Sequence, residues 1–167
     1  MYRLVFPLVI CLVASGQQEL PQPFAVSAES SLYAVRGQFA GTLQVQAQRI
    51  TVAVKSGSVL STNADLGLQL RALVATATGT GWKRLAESEP QSLGAFDAGQ
   101  RRELTDSMVF TVKLPSGAKP EESWLVFQFR RSDGTTTYAC SERNLSGPDS
   151  LSARRAQQLR TFYPMAC

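Results

Sequence analysis

Ser123–Arg131 (SWLVFQFRR), Ser132-Asp133-Gly134 and Thr135–Cys140 (TTTYAC) spell out a β-hairpin. Aromatic and β-branched residues dominate both arms, as strands favour. A three-residue connection with glycine last suits a type I turn followed by a left-handed residue. Side chains alternate across a strand, so Leu125, Phe127 and Phe129 share one face. Trp124 to Phe127 are apolar in both phases, so this strand is expected to be central and covered on both sides.

The same alternation continues upstream. Leu43, Val45 and Ala47 alternate with polar residues, and Ile50, Val52 and Val54 resume one position out of phase. That shift predicts a bulge or tight turn near Gln48-Arg49. Leu66, Leu68, Leu70, Ala72 and Val74 make a third run, extended by Thr76 and Thr78 and closed at Gly79-Thr80-Gly81. Residues 82–90 are polar and aperiodic and are expected to be irregular. Met108–Leu114 (MVFTVKL) is a further strand, ended by Pro115-Ser116-Gly117.

Strands in succession without intervening helices predict an all-β, mainly antiparallel fold. About seven strands over this length suit an immunoglobulin-like β-sandwich, with a small barrel as the alternative. One C-terminal amphipathic helix is expected after Pro148. Asp149 or Ser150 caps it, Leu151, Ala156, Leu159, Phe162 and Tyr163 share one face, and Pro164 stops it.

One local pattern points the same way. Leu93-Gly94-Ala95-Phe96-Asp97-Ala98-Gly99-Gln100, followed by Phe110-Thr111-Val112, is similar to a stretch common in bacterial immunoglobulin-like and fibronectin-like modules. There, LG-x-apolar-x-x-GQ makes a loop before a strand. The resemblance implies a fold type and no particular activity, because such modules serve many functions.

The chain begins with one positive charge at Arg3, an apolar run from Leu4 to Val13, and small residues at Ala14-Ser15-Gly16. That order is the pattern of a secretory signal peptide. The run is too short to span a bilayer, which takes about 20 apolar residues, and no later segment is apolar enough to do so. The expected organisation is a signal peptide over 1–16, a flexible leader over 17–30, a β-sandwich over 31–145, and a helix with a disulfide-anchored tail over 146–167. The expected location is secreted, periplasmic or cell-envelope. Removal of Arg3 leaves 16 basic against 13 acidic residues, a mild net charge of +3.

Loss of Cys11 with the signal leaves Cys140 and Cys167, a pair expected to form one disulfide in an oxidising compartment. The chain has no histidine. This excludes Ser-His-Asp triads, Cys-His dyads, His-ligated metals and a histidine pH switch. Ser116-Gly117-Ala118-Lys119 matches S-x-x-K but lies between Pro115 and Pro120, which argues against the helix that motif requires. No Ca²⁺-loop pattern occurs, and no carboxylate pair stands out. Asn144-Leu145-Ser146 is a glycosylation sequon.

These exclusions leave a non-enzymatic exported protein that acts by surface binding or as a structural envelope component, without catalytic, cofactor or metal residues. The expected partner is an envelope or extracellular protein or a glycan. The candidate contacts are Trp82, Lys83 and Arg84 in one segment and Arg101 and Arg102 in another, because exposed Trp and Arg dominate contact energies. Two alternatives stand beside this reading: an exported hydrolase using carboxylates, and a polyanion binder using the arginine pairs 101–102, 130–131 and 154–155. The nucleic-acid signal is weak, since Arg130 and Arg131 on one strand project to opposite faces.

Overall fold

The structure is a computed structural model and describes residues 20–78, 81–105 and 107–146. It is all-β. Ten strands run in chain order: β1 (Gln22–Ala28), β2 (Val35–Gln46), β3 (Arg49–Ser61), β4 (Asp65–Thr78), β5 (Gly81–Glu87), β6 (Gln91–Phe96), β7 (Arg101–Glu103), β8 (Met108–Lys113), β9 (Ser123–Arg130) and β10 (Thr136–Asn144). Every pairing is antiparallel. Among the described residues, the one helical element is a 3-10 turn at Pro120–Glu122. The expected signal peptide and C-terminal helix lie outside the described residues.

The architecture differs from seven strands divided between two sheets. The strands follow one hydrogen-bonded path, β5-β4-β9-β10-β1-β2-β3-β7, with β6 added to β4 and β8 added to β3. Strand length is the reason. β3 and β4 have 13 and 14 residues, enough for two successive partners along one edge. β3 pairs with β8 over 49–54 and with β7 over 58–60. β4 pairs with β6 within 65–70 and with β5 within 73–78. A sandwich would part between β1 and β10, whereas here Val26 pairs with Ser141 and joins the two halves.

The sheet rolls around one core. Phe127 of β9 meets Phe39 of β2 at 5.3 Å, Phe110 of β8 at 5.8 Å and Phe24 of β1 at 5.9 Å between ring centroids. These strands are not neighbours on the path, so their inner faces confront one another. Leu125, Phe127 and Phe129 all point into this core, as the alternation predicts. Tilted and edge-on ring pairs at such distances each add about 1 kcal/mol beyond area burial.

The open seam of the roll is stitched by side chains. Arg102 of β7 donates from Nη1 to Leu93 O at 2.5 Å and from Nη2 to Ala95 O at 2.6 Å, both on β6. Its guanidinium carbon lies 4.1 Å from the Phe96 ring centroid. Gln91 Nε2 of β6 donates to Val109 O of β8 at 2.6 Å. Carbonyls that a ladder would otherwise satisfy are met by side-chain donors.

Several local expectations are corrected. The leader expected over 17–30 contains β1, which pairs with β2 from Gln22↔Leu43 to Ala28↔Gly37. Its Val26 and Ala28 are buried, and Phe24 packs against the core. Pro23 is tolerated because β1 meets β10 only at Val26, so its missing N–H leaves no ladder partner wanting. Residues 81–87 are a strand as well. β5 ends the path and buries few side chains, which erases the periodicity. Leu66 is 88% exposed although Leu68 and Leu70 are buried, because the β4–β6 register shifts between Asp65 and Leu68. The 93–100 pattern forms the end of β6, a turn and the approach to β7, not a loop alone.

Other local expectations match the structure. The phase shift near Gln48 is a two-residue hairpin, with Gln46 opposite Arg49 and Ala47 at φ 48°. In the second hairpin, Gly134 takes φ 85° and its N–H donates to Arg131 O at 3.0 Å.

Candidate contact surface

The roll has an outside, and on β4, β9 and β10 that outside is apolar. Pairing places Leu73 opposite Val126, and Val126 opposite Cys140. Leu73, Ala75, Val126 and Cys140 form a second buried cluster, separate from the core, with Trp82 and Tyr138 packed against it. Trp124 lies on the same face of β9, two residues from Val126, and is fully buried. Alternation explains the arrangement: on β9, odd positions enter the core and even positions 124 and 126 build this second face.

Trp82 reaches the cluster from β5, where it pairs with Ala77 of β4. Leu73, Ala75, Trp82, Arg84, Val126 and Tyr138 together line a hollow of about 300 Å³. Its floor is aliphatic, its walls are aromatic and its rim is cationic. Arg84 Nη1 contacts Glu87 Oε2 at 2.8 Å, and Glu87 Oε1 meets Arg71 Nη1 at 3.0 Å. Gln128 Nε2 donates to the Tyr138 hydroxyl at 3.0 Å, fixing that ring at one end of the face. Lys83 is exposed on β5.

The structure therefore brings Trp82 and Arg84 together and leaves Arg101 and Arg102 on another part of the roll. Arg101 is exposed, donates to Ser58 Oγ at 2.8 Å and lies 3.3 Å from Glu29. Arg102 is turned into the seam, its guanidinium holding β6. Arg131 is paired with buried Asp65, while Arg130 is exposed. The arginine pairs among the described residues do not merge into one patch. Arg154 and Arg155 lie outside the described residues.

The sequence did not signal Leu73, Ala75 and Tyr138 as part of this hollow. Leu73 and Ala75 are the residues between those of the β4 alternating run, and only strand pairing sets them beside Val126 and Trp82. A second hollow, of about 430 Å³, lies over β1, β2 and β3 and is lined by small and polar residues including Ser27, Gln38, Ser56 and Glu103. No Trp, Tyr or Arg lines it.

The sequon residue Asn144 is 4% exposed, and its amide donates to Glu121 O at 2.9 Å. In the folded chain this side chain is a structural clasp. Cys140 is 7% exposed within the apolar face, and Cys167 lies outside the described residues. Among the described residues, no group of three or more His, Cys, Asp or Glu stands together to hold a metal ion. Comparison with protein families and with curated proteins finds no match for this chain.

Proposed function

We propose that this chain is an exported, non-enzymatic binding module that acts by surface contact in the periplasm, the envelope or the medium. The observation that supports the reading is the hollow itself, where Trp82 and Tyr138 flank an aliphatic floor and Arg84 stands at the rim. Contact energy concentrates on aromatic and Arg side chains in desolvated pockets. The fitting partner is an envelope or extracellular protein that offers an apolar side chain next to a carboxylate. The apolar group fills the hollow and the carboxylate meets the Arg84 guanidinium, which retains donors beyond its contact with Glu87.

A rolled sheet with a continuous core works as an immunoglobulin-like module does, as a rigid β scaffold with a contact surface on one face.

The test is cross-linked co-purification from native envelope and medium fractions, run in parallel on wild type, Trp82→Ala and Arg84→Glu. A partner held by wild type binds Trp82→Ala about thirtyfold more weakly, the equivalent of a 2 kcal/mol anchor. Arg84→Glu weakens it further as the like charge repels the partner acid. Equal recovery by all three proteins rejects the hollow as the contact site.

A further inference from the structure

We infer that two copies of this chain join edge to edge, β8 of one pairing antiparallel with β8 of the other about a two-fold axis at Thr111. The inference is independent of the reading of the Trp82 hollow.

The first observation is which edge is left open. β5 and β6 stand at one end of the sheet, and β7 and β8 at the other. Proteins blunt such edges with bulges, short strands or a cover, because unpaired N–H and C=O groups invite another strand. β5, β6 and β7 are blunted in this way. β5 and β6 both meet β4 with register shifts. β7 has three residues, and its Arg102 ties it to β6. β8 instead meets β3 in an unbroken register, from Arg49↔Lys113 to Val54↔Met108. A regular edge of this kind accepts a further strand.

The second is the direction of its polar groups. Leu114 N–H donates to Gln48 O at 2.7 Å, so position 114 turns toward β3. Direction alternates along an antiparallel strand. Phe110 and Val112 therefore bond β3, while Val109, Thr111 and Lys113 turn their N–H and C=O groups away from it. Gln91 Nε2 reaches Val109 O at 2.6 Å from that outer side, in agreement with this orientation. Among the described residues, no second strand meets Thr111 or Lys113.

The third is the side chains. Val109, Thr111 and Lys113 are exposed, and Val109 is 52% exposed although it is apolar. Phe110 and Val112 are already buried in the core, so an added strand asks nothing of the core packing.

The occupant follows from the fourth observation: the edge is complementary to its own reverse. A two-fold interface makes each residue pair occur twice, once in each direction. Centred on Thr111, it sets Thr111 against Thr111 of the second copy and Val109 against Lys113 of the second copy. Threonine pairs are favourable across strands. The lysine stem covers the valine while the ammonium stays in water. The two Lys113 positions then lie about 13 Å apart along the strands, at 3.3 Å per residue. That exceeds the ~8 Å over which exposed charges act at physiological salt. An axis at Lys113 would oppose two ammonium groups, and an axis at Val109 would crowd both Gln91 side chains into the ladder. The Thr111 register supplies about six hydrogen bonds between the copies. Val109 O serves both Gln91 and the incoming Lys113 N–H, since a carbonyl accepts two bonds.

The experiment uses the full-length exported protein. Sedimentation equilibrium gives mass against concentration for wild type, Thr111→Lys, Thr111→Glu and an equimolar mixture of the two variants. NMR follows amide exchange at Thr111 and Lys113. Wild type is expected to form a reversible dimer. Each variant alone should dissociate at least tenfold more readily, because like charges meet at the axis. The mixture should recover the dimer through opposite charges, and this recovery also shows that both variants are folded. Exchange at the Thr111 and Lys113 amides should slow as wild-type concentration rises. A wild type that stays monomeric at millimolar concentration overturns the inference and leaves the edge to a strand of another protein. A dimer indifferent to both charge variants, or one in which these two amides still exchange freely, places the contact on another surface and overturns it equally.

Discussion

Arg131 Nε donates to Asp65 Oδ2 at 3.0 Å across 66 positions of sequence. The Asp65 side chain is fully buried, and that of Arg131 is 12% exposed. Asp65 also accepts from Gly67 N–H at 2.9 Å and from Ser132 N–H at 3.3 Å. Arg131 in turn reaches Ala64 O at 3.1 Å and Asp133 Oδ2 at 2.8 Å. This pair fastens the β9–β10 turn to the first residue of β4.

Removing one partner leaves the other charged and poorly solvated. Asp65→Ala is expected to destabilise the fold by about 4 kcal/mol, the usual range for a broken buried pair. Asp65→Ala/Arg131→Leu costs less than the sum of the single changes, since the double variant leaves no orphaned charge. Urea unfolding of the four proteins of the cycle measures both values, and additive losses contradict the coupling.

The β9–β10 turn responds to acid. The Thr135 hydroxyl at 2.6 Å and the Thr135 N–H at 2.9 Å hold the Asp133 carboxyl below its ordinary 3.8, with the Arg131 charge adding to the effect. A lowered carboxylate value means that the folded state prefers the ionised form. Its contribution is complete above pH 3.8 and fades as pH falls through the lower folded value. Carboxyl NMR titration should place the Asp133 midpoint below 3.8. Thr135→Val should move it up toward that value, and no movement contradicts the assignment.

Arg102 closes the seam of the roll with a two-pronged contact to β6. Arg102→Ala is expected to cost about 2 kcal/mol, since hydrogen bonds from a charged donor are worth roughly 1.5–3 kcal/mol. Arg102→Lys restores only part of it, because an ammonium lacks the fork that meets two carbonyls at once. Amide exchange should accelerate first in β6 and β7. Uniform acceleration over all strands would show that the seam is not a local weak point.

The β2–β3 ribbon has two backbone constraints. Gly41 sits at a bulge, where Ala40 pairs with Ser56 and Gly41 pairs with Val54, and a Cβ there would run into the Ala53 carbonyl. Gly41→Ala should destabilise by about 1–3 kcal/mol through overpacking. Ala47 is a non-glycine residue at φ 48° in the adjoining turn. Ala47→Asn should stabilise by several tenths of a kcal/mol, because Asn tolerates the left-handed region better. Thermal unfolding that moves both variants the same way contradicts one of these assignments.

Sequence alone determined the class of the fold and its most local parts. Alternation from Leu125 to Phe129, glycine at position 134 and successive strands without helices specify antiparallel hairpins, because side-chain direction and turn conformation depend on near neighbours. The absence of histidine likewise removes whole mechanisms without reference to any coordinate. Tertiary structure decided the rest. β1 is legible only against β2, where Pro23 faces no second neighbour. β5 carries little periodicity because it lies at the end of the path. That Arg102 lies over two β6 carbonyls is set by the closure of the seam. Trp82 was visible as an anchor, but Leu73, Ala75, Val126 and Tyr138 join it through strand pairing over long sequence separations. Such pairings depend on how the whole sheet rolls to bury Phe24, Phe39, Phe110 and Phe127 together, and no window of the sequence contains that balance.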